Sequence, residues 1–271
     1  MSISTNNSRW VLPNLSSALK WCKTRNSQGL GCTLDILGEN VRTEKDANIA
    51  INVYLRCAEE LQADNLDGAI AMKLSNLGAG FDRALGRKNL LKIFKETEQY
   101  NINLELDMEG KPMVEYTIQT AQELADMGYH VTLALQVYLN RTEDDLKNVL
   151  KHDIIVRLVK GAYLGDTGDF VEIQERFKSL IKNLLENGGH FSIGTHDPEL
   201  IAWVKSNAVD KNELIEFGFL KGLADNTKLA LVKAGWQVAE YVPFGADSRA
   251  YITRRQHYLN ELNRLSRRVV D

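Results

Sequence analysis

The stretch IIVRLVKGAY, residues 154–163, begins as a buried β-strand, because it is an aliphatic, largely β-branched run with no turn residue inside it. Arg157 and Lys160 interrupt this run, and a charge on a buried strand is costly unless an anionic or strongly polar group meets it. Gly161 and Ala162 then remove side-chain bulk where the strand ends, so a ligand could approach the backbone closely. The pattern indicates the wall of an anion-binding site, with cations paired to core carboxylates as the alternative.

Strand-like and helix-like segments alternate around this stretch from about residue 30. The predicted strands are 31–38, 69–75, 102–109, 131–139, 154–163, 191–196, 215–220 and 238–242. The predicted helices are 44–63, 83–100, 112–127, 142–151 (with Thr142 as N-cap), 170–187, 198–207, 226–234 and 248–269. Strands alternating with helices imply parallel pairing with right-handed crossovers, and eight such units predict an α/β protein with a (β/α)8 TIM-like barrel.

We expect one barrel domain over residues 30–271, distorted from the ideal and preceded by a short N-terminal arm, residues 1–29. The last helix, 248–269, is expected to close the site at the mouth of the barrel. A doubly wound open sheet is the alternative. It would normally carry a glycine-rich nucleotide turn after an early strand, and LGEN at residues 37–40 lacks that pattern.

Composition narrows the possible functions. The net charge of -3 and the pI near 6.0 give no electrostatic footprint for nucleic acid. No apolar run approaches the ~20 residues that a membrane helix needs, while a peripheral membrane contact stays open. Cys22, Cys32 and Cys57 are odd in number and lack metal-ligand spacing, which predicts reduced thiols in a cytoplasmic protein without a metal site.

Polar residues follow almost every predicted strand, and in a barrel the carboxyl ends of the strands form the catalytic rim. The residues that this rule brings to the rim include Lys73, Asp107, Met108, Gln136, Arg157, Lys160, Thr195, His196, Leu220 and Tyr241. Lys73, Arg157 and Lys160 outnumber the one carboxylate, Asp107, which indicates an anionic ligand near that carboxylate.

The last helix adds Tyr251, Arg254 and Arg255 near the mouth of the barrel. Tyr251 and Arg254 are three residues apart and share a helix face, which Arg255 joins at a spacing of four. Cations at a helix N-terminus oppose its dipole, so local stability does not call for them there. Paired guanidiniums are suited to bidentate binding of a carboxylate, with a surface basic patch as the alternative.

The segments LDILGE, KLS, LDME, LQVYL, VRLVKGAY, THDP, EFGFLKG, YVPFG and YITRR occur in this order over roughly residues 30–258. Together they resemble the proline dehydrogenase family, in particular its monofunctional bacterial type. The most specific of them are VRLVKGAY and the late Y-x-x-R-R. The resemblance implies a distorted barrel that holds FAD and oxidises L-proline to Δ1-pyrroline-5-carboxylate by hydride transfer, the first step of proline catabolism.

The resemblance also implies roles for individual residues. Asp107 and Arg157 are implied to be catalytic, with Arg157 beside the redox nitrogen of the flavin. The implied substrate contacts are Lys73, Leu220, Tyr241, Tyr251, Arg254 and Arg255. The implied cofactor contacts are Met108, Gln136, Arg157, Lys160, Gly161, Ala162, Thr195 and His196.

Two departures from the family pattern bear on the cofactor. The segment after Tyr163 is shorter than is usual in the family, so FMN is the alternative to FAD. Tyr258 stands where the family commonly has Glu. The expected partners are L-proline, an electron acceptor such as a quinone, and a Δ1-pyrroline-5-carboxylate dehydrogenase; no nucleic acid is expected.

Three other functions stay open. One is a barrel lyase or aldolase that forms a Schiff base on Lys73 or Lys160. Another is a binding protein that keeps the carboxylate clamp but does not oxidise its ligand. The third is a flavoenzyme acting on hydroxyproline or another cyclic amino acid, because a pocket set by packing discriminates only modestly against an added hydroxyl.

Overall fold

The computed structural model describes residues 9–100 and 102–264. Its strands are β1 Gly31–Ile36, β2 Gly68–Met72, β3 Asn103–Leu106, β4 Thr132–Gln136, β5 Ile155–Val159, β6 Phe191–Gly194, β7 Ile215–Leu220 and β8 Gln237–Phe244. Its α-helices are α1 Leu15–Asn26, α2 Glu44–Ala63, α3 Arg83–Thr97, α4 Lys111–Asp126, α5 Thr142–Val149, α6 Phe170–Asn187, α7 Pro198–Asn207, α8 Asp225–Lys233 and α9 Arg249–Arg264. Among these residues, no helix has both the length and the apolar character that crossing a membrane requires.

The eight strands form a closed barrel in which each strand pairs with the next and β8 pairs with β1. All of these pairings are parallel. The seam is well formed, because β1 and β8 are in register from Gly31 opposite Ala239 to Ile36 opposite Phe244. The predicted α/β barrel is therefore confirmed, and the open sheet is excluded because it would have no pairing between its first and last strands.

Side chains alternate between two environments along each strand, as the pleat of a β-strand requires. On β3, Leu104 and Leu106 belong to the apolar core, whereas Glu105 faces the central cavity. On β5, Val156 belongs to the core and Arg157 faces the cavity. Barrel interiors are ordinarily filled by bulky branched residues, so an interior lined by charged side chains leaves room for a ligand.

The first six predicted strands are too long at their carboxyl ends, whereas β7 matches its prediction and β8 extends two residues further. The strand predicted at 102–109 ends at Leu106, and the one predicted at 131–139 ends at Gln136. The residues beyond these ends, such as Met108, stay buried although they lie in loops. Burial continues because these loops fold over the top of the barrel, so an apolar run does not mark where a strand stops.

Two predictions about helical regions differ from the structure, and a third extends beyond the described residues. The prediction of Thr142 as an N-cap is wrong, because Arg141 holds that position and the Thr142 hydroxyl donates to the Gln136 carbonyl at 2.5 Å. The expected N-terminal arm contains α1, where the Asn14 side chain caps the helix by accepting from the Ser17 amide at 3.0 Å. The closing helix is described only as α9, so residues 265–269 of its predicted range lie outside the described residues.

Helix α1 is tied to the barrel by a buried group of charges. Arg25 lies 2.6 Å from Asp225 and 3.0 Å from Glu240 on β8. Lys228 on α8 also binds Glu240, and both of these side chains are fully buried. Buried charges are costly to desolvate, so each member of the group depends on its partners.

We expect Lys228→Ala to lower the free energy of unfolding by about 3 to 5 kcal/mol, because Glu240 would lose a buried partner. The matched control is Lys147→Ala, since Lys147 makes an exposed ion pair with Glu143, and its expected cost is much smaller than that of Lys228→Ala. Urea unfolding followed by circular dichroism measures both. Equal costs for the two variants would contradict the assignment.

Candidate active site

A cavity of about 1210 Å³ lies at the carboxyl ends of the strands. It is lined by every residue that the sequence predicted for the site: Lys73, Asp107, Met108, Gln136, Arg157, Lys160, Gly161, Ala162, Thr195, His196, Leu220, Tyr241, Tyr251, Arg254 and Arg255. The structure therefore brings together strands β2 to β8 and helix α9, as the barrel topology predicts.

Asp107 follows β3 and is the centre of a buried polar cluster. Its carboxylate accepts from Arg157 Nη2 at 2.5 Å and from the Tyr241 hydroxyl at 2.7 Å, and it lies 3.2 Å from Lys73 Nζ. Burial alone would raise the pKa of Asp107, but Lys73, Arg157 and Tyr241 together hold that pKa below its usual value. Asp107 is therefore a carboxylate at neutral pH.

Lys73 follows β2 and contacts two carboxylates. Its Nζ lies 2.5 Å from Asp35 on β1 and 3.2 Å from Asp107. Burial would lower the pKa of Lys73, but Asp35 and Asp107 raise it well above its usual value. Lys73 is thus held as an ammonium ion, which is not nucleophilic.

Arg254 on α9 is paired with a carboxylate from the loop after β1. Its guanidinium donates to Glu39 Oε1 at 2.8 Å and to Glu39 Oε2 at 3.2 Å. It also lies over the Tyr163 ring, 4.9 Å from the centroid, and the Tyr163 hydroxyl donates to Glu39 at 2.9 Å. This ion pair joins the closing helix to the rim of the barrel.

Arg255 differs from its neighbour. Its Nη2 donates to the Tyr251 hydroxyl at 2.9 Å, while its Nε and Nη1 are buried and have no partner among residues 9–100 and 102–264. Arg157 likewise has a buried Nε with no partner among these residues. Buried donors without an acceptor are costly, and both side chains line the cavity, so a ligand that supplied an acceptor there would stabilise them.

Gly161 makes room for an aromatic ring. Its φ is +119°, and a Cβ there would lie 1.9 Å from the ring of Tyr138. The Tyr138 hydroxyl donates to Gln136 Oε1 at 2.7 Å and accepts from the Tyr163 amide at 2.9 Å. Gly161 lines the cavity, and the ring of Tyr138 occupies the space that its missing side chain leaves. Ala162 lines the cavity as predicted.

His196 follows β6 and is a neutral hydrogen-bonding residue. Its Nε2 accepts from the Leu220 amide at 3.0 Å, so the proton of the neutral ring lies on Nδ1. Burial lowers the pKa of His196 well below its usual value, and Arg255 and Lys228 lower it further. The Thr195 hydroxyl accepts from the Asp197 amide at 3.1 Å.

Lys160 and Gln136 line the cavity with side chains that already have partners. Lys160 Nζ lies 3.2 Å from Glu261 on α9 and 5.5 Å from the centroid of the Tyr258 ring. Gln136 Nε2 donates to the Glu109 carbonyl at 3.0 Å. Lys160 thus connects the strand β5 side of the cavity to the closing helix.

Sequence reasoning missed three residues of the site, namely Asp35, Glu39 and Glu105, whereas it placed Tyr138 and Tyr163 at the strand ends. Glu105 could have been found from spacing, because it lies two positions before Asp107 and alternate residues on a strand face the same way, whereas no site residue was predicted on β1 to indicate Asp35. No spacing rule connects Glu39 to Arg254, which is 215 residues away in the sequence.

A closed parallel barrel with ionisable groups gathered at the carboxyl ends of its strands defines an enzyme of the α/β-barrel class. The sequence profile of the proline dehydrogenase family matches residues 18–261. The chain belongs to the proline dehydrogenase family, which confirms the predicted family and the prediction of an enzyme.

Relatives and solved structures agree with this assignment. Proline dehydrogenase 2 of Bacillus subtilis (strain 168) is 31% identical over 249 residues, covering 89% of this chain and 82% of the relative. Proline dehydrogenase of Deinococcus radiodurans is 28% identical over 255 residues, with the same coverage of 89% and 82%. Proline utilization A (PutA) from Bdellovibrio bacteriovorus, inactivated by N-propargylglycine, matches with a TM-score of 0.83 at 22% identity. That match covers 92% of this chain and 32% of the PutA chain, and it shows the fold.

We expect Gly161→Ala to destabilise the protein by more than the ~1 to 3 kcal/mol of backbone strain alone, because the new Cβ also meets the Tyr138 ring. Gly128→Ala is the matched control, since Gly128 has φ +90° but no atom within 4 Å of its Cβ position. Urea unfolding measures both. A cost no larger for Gly161→Ala than for Gly128→Ala would contradict the role of Tyr138.

We expect the free energy of unfolding to fall as the pH drops below about 6.5, partly because of His196. The folded state keeps this ring neutral, while the unfolded chain takes up a proton, so the loss reaches about 1.4 kcal/mol by about pH 5.5. His196→Gln should remove this part of the pH dependence, as measured by urea unfolding at about pH 7.5 and 5.5. An unchanged pH dependence in H196Q would show that the imidazole takes up its proton in the folded state as well.

Proposed function

We propose that this chain oxidises L-proline to Δ1-pyrroline-5-carboxylate by hydride transfer to FAD, within one barrel domain at residues 30–271. The observation that carries the proposal is Arg255, which is 4% exposed and has two buried N–H donors without a partner among the described residues. It lies in the same cavity as Asp107 and Lys73. The named proline dehydrogenases among the relatives support proline as the substrate.

The guanidinium of Arg255 is the group that first binds the substrate carboxylate. Its Nε and Nη1 lack acceptors and point to different sides of the guanidinium, so a substrate carboxylate would supply an oxygen to one of them. Arg254 is ion-paired with Glu39, and Lys73 is ion-paired with Asp35 and Asp107. Both cations take part by exchanging some of these contacts for contacts with the substrate carboxylate. Binding by several cations fixes the orientation of a small ring, which contributes strongly to the rate.

The chemistry of the lining residues fits a flavin. The cavity exceeds the ~300 to 1,000 Å³ of most ligand sites, so it can hold a dinucleotide together with a small substrate. Arg157 offers an unpartnered Nε, and the other residues proposed to hold the cofactor are Met108, Gln136, Lys160, Gly161, Ala162, Thr195 and His196. A bound flavin would supply the hydride acceptor, while the protein binds, orients and tunes it. We propose FAD rather than FMN.

Asp107 and Tyr241 act on the amine side of the substrate. Asp107 remains ionised in its cluster, so it can accept a hydrogen bond from the ring nitrogen and hold that nitrogen in place. Tyr241 donates to Asp107 at 2.7 Å and keeps its phenol proton, because burial raises its pKa well above the usual value. Asp107 therefore orients the substrate, and it is not an obligatory base because an unprotonated proline can supply the hydride directly.

The lyase alternative is weakened by the state of its proposed nucleophile. Lys73 is held as an ammonium ion by two carboxylates, whereas a Schiff base needs a neutral amine. Lys160 remains open to that chemistry. A flavoenzyme for hydroxyproline stays a second candidate, because a cavity of about 1210 Å³ accommodates one added hydroxyl.

We also propose a quinone-like electron acceptor, a Δ1-pyrroline-5-carboxylate dehydrogenase as the enzyme that receives the product, and a cytoplasmic location with peripheral membrane contact. These proposals come from the family resemblance. The structural match to PutA supports a shared fold, and the link to the second enzyme rests on the family resemblance.

The test is the visible spectrum of the purified protein before and after anaerobic addition of L-proline. The expected result is flavin absorption at about 450 nm that bleaches when proline is added. Release of the cofactor by denaturation then distinguishes FAD from FMN. Bands that do not bleach would contradict the substrate. Absence of bands after reconstitution with FAD would contradict the flavoenzyme and favour a Schiff base on Lys160.

We expect Arg255→Met to weaken proline binding by about 2 to 4 kcal/mol, which is about 30- to 900-fold in KM, because a buried charge-assisted contact is lost. The control is Arg249→Met, an exposed arginine on the same helix that does not line the cavity. Steady-state kinetics with matched flavin content measure both variants. A KM for R255M within about threefold of the R249M value would count against the clamp.

A further inference from the structure

Glu105 lies below the catalytic rim and binds Arg157. It is on β3, two residues before Asp107, so both carboxylates face the interior of the barrel. Arg157 Nη1 donates to Glu105 Oε2, while Nη2 donates to Asp107 at 2.5 Å. Glu105 is 5% exposed and also accepts from the Thr33 hydroxyl at 3.3 Å. One guanidinium is therefore held between two carboxylates of a single strand.

The two carboxylates do not offset the charge of Arg157 equally. Asp107 is shared with Lys73, whose Nζ lies 3.2 Å away, and with the hydroxyl of Tyr241. The cation that the structure gives to Glu105 is Arg157. Because Lys73 already balances much of the Asp107 charge, Glu105 is the group that most directly offsets Arg157.

We propose that Glu105 is a positioning residue for Arg157 and that its charge lowers the reduction potential of the bound flavin. This inference rests on the proposed function. A negative charge close to the redox centre opposes the arrival of electrons there, and a low-dielectric interior strengthens the effect. Glu105 thereby moderates the positive field of Arg157 and fixes the orientation of its guanidinium.

Glu216 on β7 provides a matched control inside the same cavity. Burial, together with Glu105 and Asp67 and opposed by Arg157, raises its pKa to about 8. Glu216 therefore carries a proton at about pH 7, and Glu216→Gln removes no charge at that pH. Both variants replace a glutamate in the cavity by glutamine. Only Glu105→Gln removes a negative charge and a hydrogen bond to Arg157.

The experiment measures the midpoint potential of the flavin at about pH 7 in the wild type, E105Q, E105D and E216Q, all as holoenzymes. For E105Q we expect the equilibrium constant for flavin reduction to rise at least tenfold, an upward shift of about 30 mV for a two-electron couple. E105D keeps the charge and should recover most of the wild-type potential. E216Q should match the wild type.

The outcomes separate the inference from the function on which it rests. A flavin that is bound and bleached by proline, with the same potential in E105Q as in the wild type, would overturn the inference and leave the proposed function intact. An equal rise in E216Q would also overturn it, because general perturbation of the interior would then be the cause. A protein that takes up no flavin would overturn both. A shift confined to E105Q supports the inference.

Discussion

The site depends on one electrostatic constraint, which is that Asp107 must be ionised inside the barrel. A buried carboxylate is costly unless cations and donors surround it, and Asp107 receives Lys73, Arg157 and Tyr241 from three other strands. Each of those groups needs a partner of its own, which brings Asp35 to Lys73 and a second carboxylate to Arg157. The interior is polar because each buried charge requires an oppositely charged partner, which is itself buried.

That constraint explains why this barrel can hold a large ligand. The interior of an ordinary barrel is packed with branched side chains, which are stable without partners. Here the inward positions carry ionisable groups, and small residues such as Gly194, Gly218 and Ala239 stand beside them. Stability then comes from the outward-facing side chains, which pack against the helices in one apolar core. The inward face of each strand thus lines the ligand cavity, and the outward face stabilises the fold.

Much of the site could be predicted from the sequence, because barrel topology converts the end of each strand into a position on one rim. Residues such as Lys73, Asp107 and Tyr241 follow from that rule and the order of the strands. Other features depend on contacts between distant loops. The pairing of Glu39 with Arg254 has no local signal. Helix α1 was missed although Leu15, Ala18, Leu19 and Cys22 recur at helical spacing, and the buried charge of Arg25 ties it to the barrel.

The seam between β1 and β8 has a consequence for how the chain acquires its structure during synthesis. Trp21 donates to Glu240 across 219 residues, and Arg25 reaches Asp225 across 200. Contacts so far apart in sequence cost much loop entropy and form late. Strand β8 must therefore leave the ribosome before the first strand finds its final neighbour. Until then the amino-terminal strands have an open edge, which makes nascent chains dependent on chaperones or on rapid completion.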